Sequence, residues 1–147
     1  MLEIERKFKI NSEEWENLMK PKPLAICQGY LSRDKGCVVR VRTKGDKGYL
    51  TVKGKNESIT RLEYEFEIPV EEAKEMLLKF CPLQIIKKRY EIQFENHLWE
   101  VDVFEGRHAG LIIAEIELKS EDEVFEKPSW VGEDVSHDPS FFNSNLG

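Results

Sequence analysis

The sequence predicts a β-dominated α+β fold, with about eight antiparallel strands, enough to close a small barrel, and roughly two or three short helices. Three observations carry this. Apolar and charged residues alternate with period two through most runs between Leu2 and Lys119. Compact turn signals such as Gly45-Asp46-Lys47-Gly48 and Asn96-His97 join successive runs as hairpins. Helical spacing of apolar residues is confined to short stretches.

In chain order, Glu3 to Phe8 reads as the first strand, with Glu3, Glu5 and Lys7 on one face and Leu2, Ile4 and Phe8 on the other. Asn11-Ser12 offers an N-cap to a short helix from Glu13 to Met19, which turns Trp15 and Leu18 inward and which Pro21 and Pro23 stop. Ala25–Ser32, Cys37–Thr43, Tyr49–Lys53 and Thr60–Ile68 are the next strands. Pro69 then opens a helix bearing Ala73, Met76, Leu77 and Phe80 at helical spacing. Leu83–Glu95 and Leu98–Glu105 form a hairpin, and Leu111–Lys119 is the last strand. Ser120-Glu121-Asp122-Glu123 has the spacing of a capping box and predicts a short helix, and the tail from Trp130 is irregular.

With 147 residues, 40% apolar and 34% charged, the chain is expected to fold as a single highly charged domain over residues 1–147. Its 22 basic and 28 acidic side chains give a net charge of −6, which repels nucleic acid and anionic membranes. An anionic ligand must therefore be held by a local cluster of Arg and Lys or through a bound cation. Cys27, Cys37 and Cys81 show no CxxC spacing and read as reduced packing thiols in a cytoplasmic protein. No run approaches membrane-spanning length, and the first strand begins at once, with no apolar signal segment.

The strands share a division of faces. Arg40 and Arg42 alternate with Val39 and Val41, Thr51 and Lys53 with Leu50 and Val52, and Glu63 and Glu65 with Leu62 and Tyr64. Glu100 and Asp102 alternate with Trp99 and Val101, and Glu115 and Glu117 with Ile116 and Leu118. Two readings follow. In one, the apolar faces are the core and the charges are solvated. In the other, the barrel is inside out: charges line a tunnel and helices cover the apolar outside. Like charges placed two apart on one face favour the second, because they need an opposite charge between them. Such a tunnel suits a phosphate chain, with arginine forks and lysines on the phosphoryl oxygens and carboxylates on a hard cation.

Glu3-Ile4-Glu5-Arg6-Lys7 resembles the ExExK signature of the CYTH superfamily, the triphosphate tunnel metalloenzymes. The match continues in order through Gln28-Gly29-Tyr30-Leu31, Arg40-Val41-Arg42, Thr51-Val52-Lys53 and Arg61-Leu62-Glu63-Tyr64-Glu65. It extends through Lys87-Lys88-Arg89-Tyr90, Glu100-Val101-Asp102-Val103-Phe104 and Glu115-Ile116-Glu117 to a tail with Asp138 and Asn143. The chain looks most similar to the short bacterial members, which are mostly inorganic triphosphatases. Phe141 departs from the pattern, standing where relatives often carry Tyr.

The resemblance implies an eight-stranded antiparallel β-barrel tunnel with a charged interior and a few short helices packed outside, binding a linear triphosphate. It implies Lys7, Arg40, Arg42, Lys53, Arg61, Lys87 and Arg89 as the triphosphate-binding residues. It implies Glu3, Glu5, Asp102, Glu115 and Glu117 as carboxylates for Mg2+ or Mn2+, one ion or two, with Glu63 and Glu65 supporting them or holding the second. Glu65 is a candidate for orienting the attacking water, and Lys87 for activating it or for a purely electrostatic role. Arg6 and Lys88 have the parity of the apolar face, and Gln28 and Tyr30 read as structural. The expected reaction is metal-dependent hydrolysis of tripolyphosphate to diphosphate and phosphate. Thiamine triphosphatase, a class IV-type adenylate cyclase and a non-catalytic triphosphate-binding module are the alternatives. Strand edges and Trp-bearing helices leave a homodimer open.

Overall fold

The structure, a computed structural model, describes residues 1–146. Gly147, the last residue of the expected domain, lies outside the described residues. The elements are β1 (Leu2–Ile10), α1 (Ser12–Asn17), β2 (Leu24–Asp34), β3 (Cys37–Lys44), β4 (Lys47–Lys53), β5 (Thr60–Ile68) and α2 (Val70–Phe80). There follow β6 (Ile85–Phe94), β7 (His97–Phe104), β8 (Ile112–Glu117), β9 (Val131–Asp134) and a single turn, α3 (Asn143–Leu146). All strand pairings are antiparallel, in the order β5-β4-β3-β2-β6-β7-β8-β1, and β1 returns to β5 through Leu2↔Leu62, Glu3↔Arg61 and Ile4↔Thr60. Eight strands thus close a ring, as the alternation and the resemblance predict.

The long β1 is the seam. Its residues Glu5 to Phe8 pair β8 on one edge, while the other edge serves β5 first and then β9, at Phe8↔Asp134 and Ile10↔Val131. The tail expected to be irregular therefore supplies a ninth strand. Its four residues include Gly132 and two acids, too few and too polar to show a period. The helix expected at residues 120–123 is absent: these residues form a turn. Glu123 does reach back to the Lys119 N–H at 2.5 Å, but Ser120 Oγ bonds Asp122 instead of capping. The following residues, with Pro128 among them, form neither helix nor strand and place Phe125 against Phe8 and Trp99.

Two of the three apolar clusters lie outside the ring. Phe8, Trp99, Val101 and Ile116 form the outer face of β1, β7 and β8, and Trp15 of α1 packs there with Trp130. The rings of Trp15, Trp130 and Trp99 follow one another edge to face at 5.6 and 5.9 Å. A second cluster sets Ala73, Leu77 and Cys81 of α2 on Val41 of β3 and Leu50 of β4. That approach needs glycine beneath it, because a Cβ on Gly29 would fall 2.5 Å from Cys81 Cβ, and one on Gly48 2.8 Å from Ala73 Cβ. A third cluster, Ile85, Phe104 and Ile113, closes one end of the ring with Phe141 and Leu146 from the tail. By contrast, the outer row of β5 stays bare: Leu62 and Tyr64 are each 49% exposed and Phe66 is 56% exposed. Among the described residues, no helix is long and apolar enough to cross a membrane.

Candidate active site

Directly opposed residues of an antiparallel pair share a face, so the register sets the interior row by row. Arg40 stands opposite Thr51, and Thr51 opposite Glu65. Lys53 is opposite Glu63, Glu3 opposite Arg61, and Glu5 and Lys7 are opposite Glu117 and Glu115. Arg89 faces Asp102, and Glu100 faces Glu115. These rows enclose a cavity of about 240 Å³ inside the ring. All seven expected phosphate-side cations line it, as do Glu3, Glu5, Glu63, Glu65, Glu115 and Glu117.

Asp102 is placed differently. It does not line the cavity but lies beneath it, fully buried, where its two oxygens take Arg89 Nε at 2.8 Å and Nη2 at 2.9 Å. Its Oδ2 is also 2.7 Å from Lys87 Nζ. Burial alone would raise this carboxyl, but Lys87 and Arg89 hold it below its ordinary value. Its position makes it a support for two cations.

The lysines on the β1 side each join two carboxylates. Lys7 Nζ is 2.7 Å from Glu115 and 3.2 Å from Glu5, and Lys53 Nζ is 3.1 Å from Glu3 and 3.0 Å from Glu63. Within each trio the two carboxyls also repel one another. Burial, then the charge of Glu115, pushes Glu5 well up. Glu115 goes the other way: burial opposes its charge, yet Lys7, the bond from Glu5 and Arg89 hold it well below its ordinary value. The two carboxyls are thus pulled apart, Glu5 upward and Glu115 downward. Glu3 is likewise raised by burial and by its bond with Glu63, against the pull of Lys53. Among the described residues, no three His, Cys, Asp or Glu side chains converge as a metal cluster. The donor chemistry nevertheless fits a hard divalent cation: the sites are carboxylate oxygens only, and a cation between crowded carboxyls would relieve their mutual repulsion.

The opposite wall is crowded with cations. Arg42 pairs with Glu65 at 3.1 Å, but burial and then Arg40 and Arg89 bring it down to about 10. Arg40 bonds only Thr51 Oγ1, at 3.2 Å, and its Nε and that of Arg42 have no partner among the described residues. Arg61, on β5 beside Glu3 of β1, donates from Nε to the Gly54 carbonyl. Lys87 is lowered to about 8, because burial outweighs Asp102.

Several residues here belong to the motifs of the sequence but were given no role in the site there. Glu100 lines the cavity and takes Arg89 Nη1 at 3.2 Å. Its parity matched Asp102, which was the available signal. Tyr30 lines the cavity and Gln28 is fully buried beside it, so their motif is part of the site's surroundings. Asn143 bonds Lys87, and nothing periodic in the tail marks it. Arg6 and Lys88 sit outside, paired with Asp134 and Glu105.

Comparison with known proteins places this arrangement. A curated inorganic triphosphatase of Acetivibrio thermocellus is 52% identical over 145 residues, covering 98% of this chain and 92% of that protein. One from Nitrosomonas europaea is 32% identical over 150 residues, covering 99% and 97%. A solved structure of an inorganic triphosphatase superposes with a TM-score of 0.67 at 30% identity, over 97% of this chain and 95% of the other. The CYTH domain family model matches residues 1–142, and the chain belongs to the CYTH domain family.

Proposed function

We propose that the protein hydrolyses a phosphoanhydride bond of a linear triphosphate, with inorganic tripolyphosphate as substrate and diphosphate and phosphate as products. The observation that carries this is the pair of cavity-lining guanidiniums, Arg40 and Arg61, with no carboxylate partner among the described residues. Cationic forks drawn out of water, Arg40 buried and Arg61 half-buried, are favourable when an anion completes them, and phosphoryl oxygens match their geometry. The two curated relatives named inorganic triphosphatase support the same reading.

Hydrolysis adds water across the bond: the water oxygen joins the transferring phosphorus, and the bridging P–O bond breaks toward diphosphate. Such a reaction is accelerated mainly by placement and charge neutralisation. Arg40, Arg42 and Arg61 grip non-bridging oxygens. Lys87, with a pKa of about 8, is mostly charged at neutral pH and donates to the phosphate chain. Glu65, held by Arg42 and Thr51, orients the attacking water. Glu3, Glu5, Glu63, Glu115 and Glu117 would hold one or two Mg2+ or Mn2+ ions, which supply further charge neutralisation and polarise water. Asp102 braces Lys87 and Arg89. The same reading makes residues 1–147 one cytoplasmic domain acting on a small molecule, not on nucleic acid or a membrane, with a homodimer as the assembly to test by light scattering.

The test is a substrate panel with Mg2+ or Mn2+: tripolyphosphate, thiamine triphosphate and ATP, with phosphate, diphosphate and cyclic AMP measured. Phosphate from tripolyphosphate far above ATP, abolished by a chelator, is expected. Cyclic AMP with diphosphate would make the protein a cyclase. Thermal stabilisation by tripolyphosphate without turnover would make it a binding module. Near-normal turnover in Lys87→Arg would exclude proton abstraction by Lys87.

A further inference from the structure

Lys87 is held on three sides. Its ammonium is 2.7 Å from Asp102 Oδ2, donates to Asn143 Oδ1 at 3.1 Å and lies 5.4 Å from the centre of the Phe104 ring, leaving the residue 1% exposed. Asp102 and Phe104 come from β7, next to β6 in the ring, so the barrel supplies them itself. Asn143 comes from the other end of the chain. An ammonium offers only protons, so Asn143 must present its carbonyl oxygen there.

That oxygen is itself seated. It takes a second hydrogen bond from Gln28 Nε2 at 3.4 Å. Gln28 is fully buried, and its own oxygen has no partner among the described residues. A buried amide left half satisfied calls for a reason, and holding Asn143 is one. The tail around Asn143 is fastened on both sides. Asp138 caps the turn at Pro139–Phe141, Phe141 and Leu146 pack on Ile85, Phe104 and Ile113, and Arg107 Nη1 donates to the Leu146 carbonyl at 3.0 Å. Phe142 and Asn143 line the cavity.

We propose that Asn143, steadied by Gln28, is a positioning residue for Lys87. An ammonium has three N–H groups; Asp102 and Asn143 engage two from different directions, and the third is thereby aimed at the cavity. With Asn143 gone, Asp102 alone no longer fixes rotation about the Cε–Nζ bond or the swing of the chain. The inference rests on the triphosphatase reading for its kinetic consequence but not for its geometry.

The test compares wild type, Asn143→Leu, which keeps the size and removes the acceptor, and Asn143→Asp, which keeps an acceptor. In tripolyphosphate hydrolysis, Asn143→Leu is expected to lower kcat by about tenfold or more while KM stays near its wild-type value. Asn143→Asp restores kcat and raises KM, because it adds negative charge beside a polyanion. Melting temperatures are expected to stay together. A wild-type kcat in Asn143→Leu overturns the proposal, as does equal impairment of both variants, which would make Asn143 mere filling. Where Asn143→Leu does not fold, Asn143→Ala is read in the same way. Heteronuclear NMR gives a readout independent of turnover. The Lys87 Nζ resonance, protected by its acceptors, is expected in wild type and Asn143→Asp and lost in Asn143→Leu; its persistence there overturns the positioning role. A wild type that does not turn over tripolyphosphate sinks the triphosphatase reading alone and leaves the NMR result to decide Asn143.

Discussion

Arg89 and Arg40 reach into one cavity from two walls, and their situations are opposite. On the wall built by β6, β7 and β8, Arg89 is enclosed by Asp102, Glu100 and Glu115. Burial would lower its pKa, but Asp102 raises it well above its ordinary value. On the wall built by β3 and β4, Arg40 has a threonine hydroxyl, and its neighbour Arg42 is depressed by burial and by like charge. A neutralised wall contributes mainly to folding and shape. A wall under like-charge crowding gains most when an anion arrives. The same fold thus holds cations for two purposes, and substitutions should separate them.

The largest effect is expected at the base of the neutralised wall. Asp102→Ala removes the carboxylate shared by Lys87 and Arg89 and leaves two buried cations without their main partner. Breaking a buried ion pair from one side costs about 3–5 kcal/mol. Urea unfolding should show that loss together with impaired turnover. An unchanged midpoint would mean that Glu100 and Glu115 neutralise Arg89 unaided.

Arg40→Ala should do the reverse. Losing one preorganised donor to a developing charge costs about a hundredfold to a thousandfold in kcat/KM, equivalent to about 2.7–4 kcal/mol. The fold should not weaken, because the guanidinium has no carboxylate to lose and its removal relieves Arg42. A fall in kcat/KM with no loss of urea midpoint sharpens the contrast; a fall in both erases it.

The carboxylate trios on the β1 side repeat the crowding with the opposite sign. Glu5 is raised well above 4.5, chiefly by burial and then by Glu115. A group whose folded pKa exceeds its unfolded value supports the fold below the unfolded pKa, and that support is lost as pH rises through the folded pKa. Glu5→Gln, neutral at every pH, should therefore be more stable than wild type at neutral pH and no more stable below about pH 4.5. Thermal melts across pH, without divalent cation, would show it. Added Mg2+ or Mn2+ should stabilise wild type more than Glu5→Gln, since the variant gives up a charged oxygen.

Much of this contrast was legible in the strands. Parity alone put Arg40 with Arg42 and Glu115 with Glu117 on one face, and like-charge crowding argued that the face looked inward. What parity could not supply was depth. Asp102 and Glu100 share a face, yet Asp102 is sunk under two cations while Glu100 reaches the cavity, because β7 packs against β6 at a register no single strand reveals. The capping box at Ser120 was overridden in the same way: Glu123 takes the N–H of Lys119 in place of that of Ser120 and also binds His97 at 2.5 Å, and Phe125 is drawn to the Trp99 cluster instead of a helical turn. Asn143 acts through a tertiary contact with Gln28 that has no local signature.

Glu100 gives the smallest effect and the finest test of the contrast. Its carboxylate is 3.2 Å from Arg89 Nη1, but it is partly exposed and Arg89 keeps Asp102 in two-point contact. A partly solvated ion pair that duplicates a buried one contributes about 1 kcal/mol or less. Glu100→Gln should therefore shift the urea midpoint slightly and leave kcat within about threefold of wild type. The useful readout is its combination with Asp102→Ala. If Asp102 alone neutralises Arg89, the two losses add; if Glu100 takes over when Asp102 is missing, the double variant loses far more than the sum. Strong coupling of that kind would show that charge on this wall is carried by a network, so that a cation beside several carboxylates stays neutralised when any one of them goes.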